Sequence, residues 1–348
     1  MHMIVGSVAV DQDVIWFYDN NLKVICQAQK NFAGIEIITK INEDDIHNFG
    51  SGIEIFCVDK TLFLTFQRTH HILIYDIAGG AYRIARYADS TNALKNSIIL
   101  EKKIYLFSHD ITGKAVIFDI EKEKYEEVSW CRENTIKTGW KSPFIFQYRE
   151  KVFFPIYMKD ILLELDLSTY QVKMQTFNHL SLAAMCVTSD AIWMTQTNTE
   201  EIVCVETKEP YRTQKYNQDN KTNESFSKIF SAKNKIIAIP RFGNYIFIYD
   251  YENNISQKAY IEIDDAMLAT TASRTYGYYI EGDILYLLPW GVARLFCLDI
   301  KQNILTEKRM IASNYLDYCD KVFFDENADT RLVDFMQWVS YGKHVGNK

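Results

Sequence analysis

Short apolar runs, each broken by a few polar residues, recur along this chain with a fixed larger period. The repeated phrase is an apolar strand, a polar interruption, a second apolar strand and then an acid. It reads TLFLTFQRTHHILIYDI at 61–77 and KIYLFSHDITGKAVIFDI at 103–120. It returns as KVFFPIYMKDILLELDL at 151–167, AIWMTQTNTEEIVCVET at 191–207, KIIAIPRFGNYIFIYDY at 235–251 and DILYLLPWGVARLFCLDI at 283–300. The acids are Asp76, Asp119, Asp166, Glu206, Asp250 and Asp299, spaced 43, 47, 40, 44 and 49 residues apart. Fourteen residues before each acid stands Leu62, Tyr105, Val152, Ile192, Ile236 or Leu285. Thirteen before stands Phe63, Leu106, Phe153, Trp193, Ile237 or Tyr286, again always apolar.

A further strand precedes most phrases across a tight polar turn, as in IEIFCV before Asp59-Lys60 and SIIL before Glu101-Lys102. Another follows each acid, as in AYRIARY and YEEVSW. Polar pairs between apolar runs read as hairpin turns. Each unit is therefore four short antiparallel strands in about 45 residues, the size of a propeller blade. The stretch 5–41 supplies one more unit, through VGSVAV, VIWFY, LKVICQA and IEIITKI. The count is seven; six or eight units, or a split first unit, is the alternative. An acid closing a strand at a turn accepts backbone N–H groups, so the six repeated acids read as turn formers rather than active-site carboxylates.

Residues 311–348 lie outside the period. Leu332, Phe335, Met336 and Val339 have the spacing of an amphipathic α-helix, with Asp329 or Thr330 as N-cap and Gly342 as stop. The expected organisation is an all-β seven-bladed β-propeller over 1–310, with a C-terminal extension over 311–348 whose short helix packs on it.

This arrangement resembles the β-propeller superfamily, over about residues 5–310. No Trp-Asp dipeptide closes the third strands, as it would in a WD40 propeller, and no Gly-Gly pair follows each second strand, as in a standard kelch motif. The chain is most similar to the divergent kelch-like propellers of bacteria. That resemblance implies a ligand face around a central channel and implies no reaction.

Composition narrows the chemistry. Aromatic residues make up 14% of the 348 residues, which fits a packed core rather than a disordered chain. Lys and Arg total 38 against 45 Asp and Glu, and no long basic block is present, so no nucleic-acid partner is expected. No run approaches the roughly 18 apolar residues of a spanning helix, so no membrane partner is expected either. The seven cysteines include no CxxC pair, which reads as reduced thiols in a cytoplasmic protein without disulfides or structural zinc. HExxH, GxSxG, GxGxxG and P-loop phrases are all missing, and no cofactor or resident metal is expected.

In a propeller the second-to-third strand loops and the inter-blade loops open on one face. Here the former carry Arg68, His70, His109, Tyr157 and Lys159. Farther along they carry Arg241, Asn244, Trp290 and Arg294, and Trp140 comes from an inter-blade loop. These ten residues are the candidate ligand-binding set. Arg offers planar contacts to carboxylate or phosphate, and Trp or Tyr offers a stacking face. The chemistry suits a protein, a peptide or an anionic or sugar-like ligand on a non-catalytic scaffold. The alternative is an enzyme on the same face. A metal-assisted lyase would draw on His47, His109 and His179, and a glycan-active hydrolase on Asp44, Asp45 and Asp110. A third possibility is a purely architectural protein.

Overall fold

The structure is a computed structural model of the chain. It describes residues 5–19, 22–42, 52–66, 71–86, 94–108, 114–129, 145–156, 159–177, 181–188, 191–196, 201–205, 212–215, 226–240, 245–260, 277–288, 294–309 and 312–314. The expected C-terminal helix lies outside them.

Seven four-stranded antiparallel sheets form seven blades, each built from four consecutive strands in chain order. Blade 1 holds β1 (Val5–Asp11), β2 (Val14–Asp19), β3 (Val24–Gln29) and β4 (Glu36–Lys40). Blade 2 holds β5 (Gly52–Val58), β6 (Thr61–Phe66), β7 (His71–Asp76) and β8 (Ala81–Arg86). Blade 3 holds β9 (Leu94–Leu100), β10 (Lys103–Ser108), β11 (Lys114–Asp119) and β12 (Lys124–Ser129). Blade 4 holds β13 (Phe146–Tyr148), β14 (Lys151–Pro155), β15 (Ile161–Asp166) and β16 (Val172–Thr176). Blade 5 holds β17 (Leu182–Val187), β18 (Ile192–Gln196), β19 (Glu201–Val205) and β20 (Arg212–Lys215). Blade 6 holds β21 (Phe226–Ala232), β22 (Lys235–Pro240), β23 (Tyr245–Asp250) and β24 (Ile255–Tyr260). Blade 7 holds β25 (Gly277–Glu281), β26 (Ile284–Leu288), β27 (Arg294–Asp299) and β28 (Ile304–Arg309). First strands of successive blades lie side by side, as β1 does with β5 and β17 with β21, and β25 returns to β1. The first strands therefore ring a central channel.

The core is divided among the seven junctions between blades. Along β2, Trp16 and Tyr18 pack with Leu62, Leu64 and Tyr75 of blade 2, while Ile15 and Phe17 pack with Tyr286, Leu295 and Cys297 of blade 7. Successive side chains of a strand point to opposite faces, so a middle strand covered on both sides must be apolar throughout. This is why β6 and β7 read as unbroken runs. The outer strands have a covered and an open side, and β8 and β12 alternate accordingly.

Blade 3 departs from the repeat by one residue. Asp119 pairs with Lys103, sixteen positions earlier, whereas Asp76 pairs with Thr61, fifteen earlier. Ile104 consequently faces blade 2, and Tyr105 turns toward blade 4. A repeat counted from the acids alone places Tyr105 on the wrong side of its sheet.

Of the six repeated acids, Asp76, Asp119, Asp166, Asp250 and Asp299 close turns, and Glu206 lies outside the described residues. Asp299 Oδ1 accepts the N–H groups of Lys301 and Gln302 at 2.9 and 2.8 Å, and the Asp299 carbonyl accepts that of Asn303 at 2.7 Å. Asn303 is thereby held at φ 60°. Asp166 binds Ser168 and Thr169 in the same way, and Asp250 binds Glu252 and Asn253. The residue after the acid then ties this turn to the first turn of its own blade. Ile77 donates to Lys60 O at 3.1 Å, Ile120 to Lys102 O at 3.0 Å and Ile300 to Asp283 O at 2.8 Å. Asp59-Lys60 and Glu101-Lys102 have φ between 46° and 62°, the paired positive values of a two-residue hairpin turn.

Ring closure uses the segment after blade 7. Ala312 bridges Ile35 in parallel, and Ser313 N–H donates to Ile35 O at 2.7 Å. The Asn314 side chain then satisfies Ile37 twice, accepting its N–H at 2.9 Å and donating to its carbonyl at 2.9 Å. A single amide thus stands in for a strand residue on the edge of blade 1. Asn314→Ala is expected to lose about 1–2 kcal/mol of stability, since two partly buried hydrogen bonds go at once. Urea unfolding measures the loss, and amide exchange at Ile37 should accelerate; unchanged values for both would place closure elsewhere.

Candidate functional site

The two ends of the ring differ in construction. One end consists of the short turns just described, stitched within each blade and between blades. Lys60 pairs with Asp11 at 2.8 Å, Lys102 with Asp59 at 3.0 Å and Lys233 with Asp283, in each case joining the first turns of neighbouring blades. Such exposed pairs are individually worth little; at this end they join blade 1 to blade 2, blade 2 to blade 3 and blade 6 to blade 7. The opposite end receives every second-to-third strand connection and every connection between blades.

Two of the ten candidate residues lie among those described, and both belong to this loop end. Lys159 sits in the β14–β15 connection, where its N–H donates to Ile156 O at 3.0 Å. Its carbonyl accepts the N–H of Leu182 at 2.9 Å, so the connection braces the first strand of blade 5. Arg294 opens β27 opposite Arg309. Arg68, His70, His109, Trp140, Tyr157, Arg241, Asn244 and Trp290 lie outside the described residues, as do His47, His179, Asp44, Asp45 and Asp110.

Below this mouth the channel wall carries chemistry of its own. Glu54 on β5 pairs with Thr65, and Lys228 on β21 pairs with Ile239. Thr65 and Ile239 each stand eleven residues before their blade's acid, so the two charges occupy one level of the channel, near the loop end. Tyr278 on β25 pairs with Leu287 close to the same level. Ser7 lies in the irregular stretch of β1, where its Oγ accepts the N–H of Ile55 at 2.7 Å and its hydroxyl also bonds the Glu54 carboxyl. The Lys228 ammonium stands 5.5 Å from the centre of the Tyr278 ring, which also packs on Phe230 at 4.5 Å. Tyr278 remains 45% exposed, a large value for a ring on an inner strand. Blades 1, 2, 6 and 7 thus place a hydroxyl, a carboxylate, an ammonium and a phenol around one lumen.

Glu54 and Lys228 are each of intermediate exposure. Desolvation pushes the Glu54 carboxyl up to about 7, against the pull of Lys228 and of the Ser7 hydrogen bond. It pushes the Lys228 ammonium down to about 8, against the pull of Glu54. The Tyr278 phenol is raised by its enclosure and then by the Glu54 charge. Each charge is costly alone and partly relieved by the other. Among the described residues no cluster of His, Cys, Asp and Glu could hold a metal ion.

The channel residues escaped the sequence reading, which looked to loops. Their signal was a charge inside a first strand: Glu54 interrupts IEIFCV and Lys228 interrupts SFSKIFSA. A lone charge among apolar strand residues needs either water or a counter-charge, and the channel supplies both.

These features define a divergent seven-bladed β-propeller. Comparison with solved structures supports that class. A streptogramin B lyase structure aligns over 88% of this chain and 94% of its own at 10% identity, with a TM-score of 0.63. A catalytically inactive virginiamycin B lyase from Staphylococcus aureus with quinupristin aligns over 83% and 93% at 12% identity, TM-score 0.61. Sqt1 from Saccharomyces cerevisiae aligns over 88% and 84% at 9% identity, TM-score 0.58. No family model and no curated protein matches the sequence.

The opposed charges make a direct prediction. Glu54→Gln removes the opposing charge that Glu54 sets against Lys228 and should cost about 1–3 kcal/mol at pH 7. Adding Lys228→Met should return most of that loss, giving a coupling measurable in a double-mutant cycle. The pH dependence has a definite sign. Glu54 binds its proton more tightly folded than unfolded, so the wild type should gain stability over the double variant as pH falls from about 7 toward 4.5. It should gain again from about 8 toward 10.5, as Lys228 loses its proton. Urea unfolding across this range should show the wild type at its relative minimum between pH 7 and 8; a flat difference would exclude a shared desolvated pair.

Proposed function

We propose that the chain is a non-catalytic binding propeller whose loop end takes a protein, a peptide or an anionic or sugar-like ligand. The observation that carries this reading is the asymmetry of the ring. One end carries the first and third-to-fourth strand turns, and the connections longer than six residues, all of them between blades, belong to the other. Lys159 and Arg294, from blades 4 and 7, belong to that loop end. The remaining cations and aromatics of the candidate set fall in the same class of connection by sequence position. Free cysteines at Cys26, Cys57, Cys186 and Cys297 favour a reducing, cytoplasmic setting. No helix among the described residues is long and apolar enough to cross a membrane.

A second reading is an enzyme on the same face, a metal-assisted lyase or a glycan-active hydrolase. The likeness of fold to a streptogramin B lyase is the observation in its favour, and at 10% identity it is a likeness of fold. The lyase version would need His47, His109 and His179 to converge on one ion.

A thermal-shift screen of acidic sugars, divalent ions and peptides separates the readings, because ligands of the native state raise the melting temperature. An acidic sugar or peptide that shifts melting and is recovered unchanged supports the binding reading. A divalent ion that shifts melting and is required for turnover supports the enzyme. Arg241→Ala and Trp290→Ala should each reduce a mouth ligand's affinity at least tenfold while leaving the unliganded melting temperature within about 2 °C, the scale of a surface change. An undiminished shift would move the site away from the mouth.

A further inference from the structure

The channel level formed by Ser7, Glu54, Lys228 and Tyr278 is polar on two sides in different ways. Blades 6 and 7 supply donors: the Lys228 ammonium and, 5.5 Å from it, the ring of Tyr278 with its phenol. Blades 1 and 2 supply a carboxylate and the hydroxyl bonded to it. Blades 2 and 6 are three steps apart in a ring of seven, so the two charges come from nearly opposite walls. We propose that this level is a binding site for a small zwitterion, an amino acid or a related ω-amino acid. Its carboxylate meets Lys228 and Tyr278, and its ammonium meets Glu54.

Three observations select this class. A simple anion would meet Glu54 at the same level, and a simple cation would meet Lys228, so each carries one repulsion along with its attraction. A zwitterion satisfies both walls and introduces no net charge into an enclosed lumen, where an unpaired charge is costly. The Tyr278 ring, 45% exposed, adds an apolar face for the ligand's methylene groups. The rigid inner strands hold these groups in place before binding, which suits a ligand of few atoms. This site deepens the mouth reading above and rests on the same open end of the ring.

The test is a series of glycine, β-alanine, γ-aminobutyrate and 6-aminohexanoate, with butyrate and butylamine as single-charge controls, each followed by thermal shift and calorimetric titration at pH 7. One length in the series should raise the melting temperature at millimolar concentration, and neither control should. Glu54→Gln and Lys228→Met should each weaken that ligand at least tenfold. The charge exchange Glu54→Lys with Lys228→Glu should restore binding, because a zwitterion can enter reversed. Circular dichroism establishes that each variant is folded, and the double variant Glu54→Gln with Lys228→Met, which removes both of these charges, serves if the exchange does not fold: it should bind no member of the series. Absence of any shift across the series, or binding that survives in that neutral double variant, overturns the proposal. Failure here together with an acidic-sugar or peptide shift lost in Arg241→Ala would leave the mouth reading standing. Failure of both would remove the open end as a ligand site.

Discussion

Face-to-face packing of sheets through two-sided apolar middle strands is the constraint from which the rest of this molecule follows. A blade with β2 or β6 at its centre exposes an apolar surface on each side, so no blade is stable alone and each must lie between two others. Trp16 and Phe17, adjacent in sequence, belong to different junctions. The only arrangement that leaves no such surface bare is a closed circle. Blade 1 therefore meets blade 7 through Phe17, Phe32, Tyr286 and Leu295, and the circle is latched by a short segment on the edge of β4 rather than by exchanging a strand. Every blade is consequently contiguous in sequence, which keeps strand pairing local and the loop-closure entropy small.

The same constraint explains what the sequence discloses. A middle strand covered on both faces must be apolar at every position, so its location is plain but its register is not. Tyr105 and Leu106 fit either side of the sheet equally well. The extra residue in the second-to-third connection of blade 3 can be detected only once Asp119 is seen opposite Lys103. The acids were legible because a carboxylate ending a strand has few other uses: Asp76, Asp166 and Asp299 each accept N–H groups of the turn that follows. The latch was not legible. Asn314 looks like any polar residue beyond the last repeat, and nothing local signals that its amide pairs with Ile37, 277 positions away.

The end of the ring that carries the candidate loops was legible in the sequence, and how their residues converge was not. Antiparallel blades must put all second-to-third and inter-blade connections at one end, so the open face follows from strand count alone. Which side chains matter there depends on how seven separated stretches converge, and residue type carries little of that information. The inner wall was the more readable place. Loop residues are polar for want of any reason to be otherwise, whereas Glu54 and Lys228 are charged against the demand of their strands.

That contrast bears on why the two charges are there at all. Two enclosed charges of opposite sign are a weak source of stability, since apolar residues of similar size would pack as well without any desolvation cost. Nor is the pair needed to set register, which the flanking Ile55 and Ile229 already do by facing the junctions of their own blades. Ser7 reinforces the point, because its hydroxyl serves the Ile55 amide and the Glu54 carboxyl at once, fixing a charge that the fold could dispense with. A group held in place at a cost to the fold, at the inner end of the one open face, is best explained by what enters that face. The rigidity that the apolar junctions give the ring is then what makes the position of those charges useful.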